Sequence, residues 1–227
     1  MINLDLKVDI TESEVAKLYG YESLEEVNSN IRKVIREMIE IGVELADFKA
    51  TSYQIEDVEI KEDESIIILN NNYELYSSYL VDKLGGSAMI TVGLVTIASK
   101  LEEKISELFK ENEYLKANVL DLVGNRLLDR ITKEVWHIVR NNSLTMDMGV
   151  SGYYSPGEGD WDIEDQKFLF KLVSGKKIGI NITASQTLIP QKSLLFIIGQ
   201  GEKLDVDDYQ PCSDCTSQSC QFKERTK

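Results

Sequence analysis

The stretch from Glu113 to Arg140 constrains this chain more than any other. Its apolar residues Leu120, Val123, Leu127, Leu128, Ile131, Val135 and Ile138 recur at helical spacing, which predicts one long amphipathic helix. As an ideal helix it would run about 40 Å. Gly124 falls within the apolar face, where glycine costs about 1 kcal/mol relative to alanine. A glycine there implies that another backbone packs closely.

The rest of the chain supplies elements for that helix to pack against. Leu24–Leu45 and Ser99–Lys110 carry further helical stripes. Thr11 and Glu14 form a capping-box pattern that opens a short helix to Leu18. Tyr73–Leu84 predicts a helix stopped by Gly85 and Gly86. Strands are expected at Asn3–Ile10, within Ser52–Ile60, at Ala88–Ile97, at Lys177–Ile182 and at Leu194–Ile198. Ser65–Leu69 reads as either a strand or the start of a helix. These elements show no regular βαβ alternation. They predict an α+β fold: an antiparallel or mixed twisted sheet with long helices packed against it. A single domain over residues 1–200 is expected, followed by an acidic linker and a cysteine-containing tail over 201–227. The linker itself would run from Gly199 to Gln210.

Composition narrows the function classes. The net charge is −14, from 25 Lys and Arg against 39 Asp and Glu. Such a field repels phosphate backbones and argues against nucleic acid as the main partner. No run of about 18 apolar residues exists to span a membrane. Met1–Asp9 lacks the pattern of a secretory signal. A cytoplasmic location is therefore expected.

Two segments stand out chemically. Gly149–Gly159 reads Gly-Val-Ser-Gly-Tyr-Tyr-Ser-Pro-Gly-Glu-Gly and is expected to form a loop. Its glycines would let backbone approach a ligand, and Pro156-Gly157 favours a tight turn. Tyr153 and Tyr154 offer flat faces for a purine or a corrin edge. Glu158, Asp160 and Asp162 make the following helix start electronegative, which disfavours a phosphate. The plain alternative is a structural turn. The second segment is the tail, Cys212-x-x-Cys215-x-x-x-x-Cys220. Thiolates at this spacing suit zinc or an iron–sulfur cluster; a redox pair and an inert tail are the alternatives. His137, the single histidine, follows Trp136 on the long helix and is expected to be structural. No nucleophile elbow, Walker loop, dinucleotide fingerprint or zincin motif is present.

Three segments, in order, resemble the activation domain of vitamin B12-dependent methionine synthase and its stand-alone relatives. They are Thr91-Val-Gly through Asp121-Leu-Val-Gly124, then Ser155-Pro156-Gly157, then Ile182-Thr183-Ala184-Ser185 followed by Pro190-x-x-Ser193. The terminal cysteine triplet is similar to one in the stand-alone relatives. The resemblance implies an S-adenosylmethionine site at Tyr153, Ser155, Pro156, Gly157, Glu158 and Gly159, with Thr183 and Ser185 contributing. It implies cobalamin carried by a partner: a corrinoid protein, or a cobalamin-dependent methionine synthase lacking its own activation domain. The implied role is to support reductive methylation of cobalt, a task of positioning rather than of acid–base catalysis. Three positions depart from the family pattern. The family's arginine falls at Tyr153, its loop tyrosine at Glu158 and its glutamate at Ala184. Two alternatives stand beside this expectation: a metal- or cluster-bearing docking or electron-transfer module built on Cys212, Cys215 and Cys220, and a corrinoid-dependent methyltransferase acting on another substrate.

Overall fold

The computed structural model describes residues 2, 8–204 and 209. Thr11 opens α1 (Glu12–Tyr19) with a complete capping box. Its hydroxyl accepts from the Glu14 amide, and the Glu14 carboxylate accepts from the Thr11 amide at 2.9 Å. Asn28 caps α2 (Ser29–Leu45) by accepting from the amides of Asn30 and Ile31. Four strands follow: β1 (Lys49–Ile55), β2 (Val58–Lys61), β3 (Ile66–Leu69) and β4 (Tyr73–Tyr76). Then come α3 (Ser78–Leu84), β5 (Met89–Thr96), α4 (Lys100–Lys110) and α5 (Tyr114–Leu144). β6 (Gly149–Tyr154) leads through a bend to a 3-10 turn at Ile163–Asp165 and α6 (Gln166–Leu172). The described chain closes with β7 (Asn181–Ile182), β8 (Leu188–Ile189) and β9 (Ser193–Gly201).

The central sheet has the order β1-β5-β9-β6 and is antiparallel throughout. This is the antiparallel form of the expected α+β architecture. A meander β2-β3-β4 and a hairpin β7-β8 stand beside it. Successive strand residues point to opposite faces, so Gly199 and Gln200 identify the two layers. Gln200 donates from Nε2 to the Ser143 hydroxyl of α5 at 2.8 Å. Leu84 and Ser87, at the end of α3, crowd Gly199. The sheet is thus sandwiched between α5 on one side and α3 with α6 on the other. Trp136 of α5 reaches the sheet as well, donating from its indole N–H to the Ser151 carbonyl at 2.8 Å.

Helices α2 and α4 pack on α5. Gly42 of α2 allows the close approach, since a Cβ there would lie 2.5 Å from Val123 Cγ1. At Gly124 the neighbours are side chains, Leu101 of α4 and the stem of Lys192, not the backbone that the sequence suggested. Lys192 lies across the glycine and ends on Asp121 at 2.7 Å and Asn125 at 2.6 Å, one helical turn apart. The missing Cβ makes room for that tether between α5 and the turn before β9. Ser193 closes the same turn by donating to the Pro190 carbonyl at 2.7 Å.

Several expectations are corrected. Tyr73–Tyr76 is strand rather than helix, because it completes the β2-β3-β4 meander through its pairing with β3. Gly149–Tyr154 is strand rather than loop, because it pairs with β9 at the sheet edge, with a bulge between Val150 and Tyr153. Gly175–Ile178 is a 3-10 turn closed by Gly179 at φ 83, so Lys177–Ile182 holds strand only at its last two residues. Gly199–Gly201 belongs to β9 rather than to a linker. Of Asn3–Ile10, residues 3–7 lie outside the described residues. Among the described residues no helix is long and apolar enough to cross a membrane.

Candidate functional site

After β6 the chain bends at Ser155–Asp160. The Glu158 amide donates to the Ser155 carbonyl, the Gly157 amide to the Trp161 carbonyl, and the Trp161 amide to the Glu158 carbonyl. Gly157 and Gly159 take left-handed conformations, at φ 95 and φ 58. Gly159 has a second reason to be glycine: a Cβ there would sit 2.5 Å from Cγ of Tyr79. Both glycines are exposed, while Pro156 beneath them is buried. Among the described residues, the Gly159 and Asp160 amides and the Pro156 and Gly157 carbonyls make no backbone hydrogen bond.

Asp160 clamps this bend to α3. Its carboxylate accepts from the Ser77 and Ser78 hydroxyls and from the amides of Ser78 and Tyr79, the last two at 3.0 and 3.1 Å. Ser77, the N-cap, accepts from the Leu80 amide at 3.0 Å. The first orphan donors of α3 are therefore satisfied by the bend and the cap together. The Ser77 and Ser78 hydroxyls and the two amides hold the Asp160 carboxyl far below the usual carboxylate range. Glu158 is the opposite case. Burial raises its pKa, outweighing the Ser155 and Tyr79 hydrogen bonds that favour the charged form.

A second anchor lies five residues on. Asp165 accepts from the Tyr73 hydroxyl at 2.7 Å and from the indole N–H of buried Trp161 at 2.9 Å. Burial and that carboxylate push the Tyr73 hydroxyl well above the ordinary phenol range. The Tyr73 ring stacks on Phe168 of α6.

On the other side of the start of α6 stands the turn Thr183–Thr187. The Thr183 amide donates to the Thr187 carbonyl at 2.9 Å, and the Thr187 amide returns to the Thr183 hydroxyl at 3.0 Å. The Ser185 hydroxyl lies 3.0 Å from that of Thr183 and 3.4 Å from that of Thr187. Gln186 ties this turn to the helix start. Its side chain donates to Glu164 at 2.8 Å, and its carbonyl accepts from the Gln166 amide group.

The chain superposes on the crystal structure of the MetH reactivation domain bound to AdoHcy with a TM-score of 0.57, covering 85% of this chain and 73% of that one at 11% identity. This protein has a reactivation-domain-like fold. No family model matches the chain, and no curated protein matches it in sequence.

Within the reactivation-domain-like fold the expected site residues divide. Ser155, Pro156, Gly157, Glu158 and Gly159 form one continuous bend, and Thr183 and Ser185 form the turn across the helix start. Tyr153 lies in β6, with its ring buried against Phe196 and Tyr209 at centroid distances of 5.5 and 5.0 Å. Tyr154 is buried against Tyr79 and Tyr209. Neither ring faces solvent, so the flat faces expected for a purine or corrin are taken up by the protein's own aromatics. Cys212, Cys215 and Cys220 lie outside the described residues, and among the described residues no cluster of His, Cys, Asp and Glu could hold a metal. His137 is exposed, edge-on to Trp136. Asp160, Tyr79 and Gln186 were not singled out as structural anchors from sequence. Their partners are distant in the chain, and only the Gly-Glu-Gly before Asp160 marked the place.

Proposed function

We propose that this protein binds S-adenosylmethionine, or its demethylated product, at the Ser155–Asp160 bend and serves a corrinoid-dependent methyltransferase. The observation that carries this reading is the likeness over 85% of the chain to a reactivation domain whose structure holds AdoHcy. The residues at the bend fit such a ligand. Two exposed glycines bring bare backbone to the surface, with amides and carbonyls left for an adenosine edge. Asp160 and Asp162 disfavour a phosphate but favour a cation. S-adenosylmethionine carries a sulfonium and an ammonium against one carboxylate, so the acidic bend attracts it.

The ligand supplies an activated methyl group; the chain binds, orients and presents it. Asp160 and Trp161 hold the bend still, so the methyl carbon is aimed by a rigid wall. Tyr153 cannot replace a guanidinium fork for a carboxylate, because it is a buried phenol. The ligand carboxylate is instead met by the Gly159 and Asp160 amides or by the hydroxyls of Thr183 and Ser185. The partner is a corrinoid protein, or a cobalamin-dependent methionine synthase without a domain of this kind. A basic surface on that partner meets the acidic one here. Calorimetric titration with S-adenosylmethionine tests the reading. Saturable 1:1 heat is expected; no heat at millimolar ligand removes the methyl-donor role.

A further inference from the structure

A concavity lies away from the bend, where α6 ends. Phe170, Lys171, Ser174, Gly175, Lys176 and Lys177 line an open hollow of about 310 Å³, at the lower end of the range that small-ligand pockets occupy. Its wall is fixed from several sides. Gly175 is pressed against Phe170 and Leu94, so closely that a Cβ would lie 2.3 Å from the phenylalanine ring and 2.7 Å from Leu94 Cδ2. The Thr51 hydroxyl of β1 donates to the Val173 carbonyl at 3.2 Å, which ties the segment to the sheet edge. Ser174 holds a left-handed conformation at φ 53, unusual for a residue with a Cβ. The amide of Lys177 donates back to its carbonyl at 2.9 Å.

The charge at this cavity is opposite to that of the protein. Lys171, Lys176 and Lys177 line it, in a chain whose acidic residues outnumber its basic ones by 39 to 25. Among the described residues none of the three pairs with a carboxylate, and no carboxylate lines the cavity. Three lysines clustered on one phenylalanine-walled hollow, with no carboxylate among its lining residues, suit a ligand that brings its own negative charge.

We infer that this cavity binds a small organic anion, with its apolar body on Phe170 and its carboxylate, phosphate or sulfonate toward the three lysines. The site is independent of the bend and has the opposite charge preference, so S-adenosylmethionine does not compete for it. The full-length protein is titrated with 1-anilinonaphthalene-8-sulfonate and, in parallel, with N-phenyl-1-naphthylamine, which has the same apolar body without the sulfonate. Expected are saturable 1:1 binding of the sulfonate at least tenfold tighter than of the neutral probe, and a tenfold or greater weakening in K176A/K177A. A K100A/K110A control should bind the sulfonate like the parent. Equal binding of the two probes, unchanged affinity in K176A/K177A, or no saturable binding overturns the inference.

Discussion

At the residue scale, the bend is governed by two carboxylates with opposite environments. Asp160 is held charged by four hydrogen-bond donors, while Glu158 is half-buried and its charged form is disfavoured. The stability consequences have opposite signs. A raised folded pKa at Glu158 means that its contribution is fully present below the unfolded pKa and is lost as pH rises through the folded value. Glu158→Gln removes that loss, so its melting temperature should exceed the parent's by roughly 1–3 °C at pH 8. The difference should shrink towards zero by pH 4, as read by thermal melts across that range. Gly159→Ala tests the other constraint. It combines a left-handed backbone with a Cβ driven into Tyr79, and should lower the melting temperature by several degrees, about 2–4 °C per kcal/mol for a chain of this size.

At the element scale, α3 and α1 are held by carboxylates from elsewhere or from their own first turn. Asp160→Ala strips the amides of Ser78 and Tyr79 of their acceptor and releases the bend from α3. A loss of about 1–2 kcal/mol is expected from the capping term alone, measured by denaturant unfolding. Because the folded pKa of Asp160 is depressed, its contribution is present above the unfolded pKa and lost as pH falls through the folded value. Glu14 plays a comparable part for α1. It completes the capping box and accepts from both Arg126 and Arg130 of α5, each at 2.7 Å. Burial opposes its ionisation, but the Thr11 amide and Arg126 win and hold its pKa below the ordinary value. Glu14→Ala should destabilise by about 1–2 kcal/mol, and the gap to the parent should narrow as pH falls below about 4. The same scale shows what was legible in the sequence. α2, α4 and α5 carry enough period in their apolar residues to identify themselves, and β5 and β9 enough β-branched and continuous apolar residues to read as buried strands. β6 does not: Gly149, Ser151 and Gly152 look like a loop, and only pairing with β9 makes them a strand. β4 was hidden because Tyr73–Tyr76 runs straight into the Ser77 cap of α3. Lys177–Ile182 misled in the other direction, since Ile178, Ile180 and Ile182 alternate although Gly175 and Gly179 impose a turn.

At the scale of the whole molecule, a layered fold places an exposed acidic bend and a lysine-lined hollow on one acidic body. The bend and the Thr183–Thr187 turn flank the start of α6; the lysine cavity lies past its end. The family resemblance pairs Ser155–Gly159 with Thr183–Ser185; in the fold Gln186 ties the second segment to the start of α6 through Glu164 and Gln166, while Asp160 ties the first to α3. What sequence could not convey was the clamp, since Asp160 and α3 are far apart in the chain and carry no shared pattern. It also suggested exposed faces for Tyr153 and Tyr154, whose burial follows from their place in an edge strand covered by Tyr209. With a net charge of −14, docking to a basic partner surface should weaken steeply with salt, because exposed charges are screened within about 10 Å at 0.1 M. The affinity for a corrinoid protein measured at 50 and 300 mM salt checks this. The most direct measurement of the central claim is a backbone amide NMR titration with S-adenosylhomocysteine. Shifts concentrated at Gly157, Gly159, Asp160 and Ser185 are predicted; a saturated spectrum in which those amides stay still, or one that never changes, contradicts it.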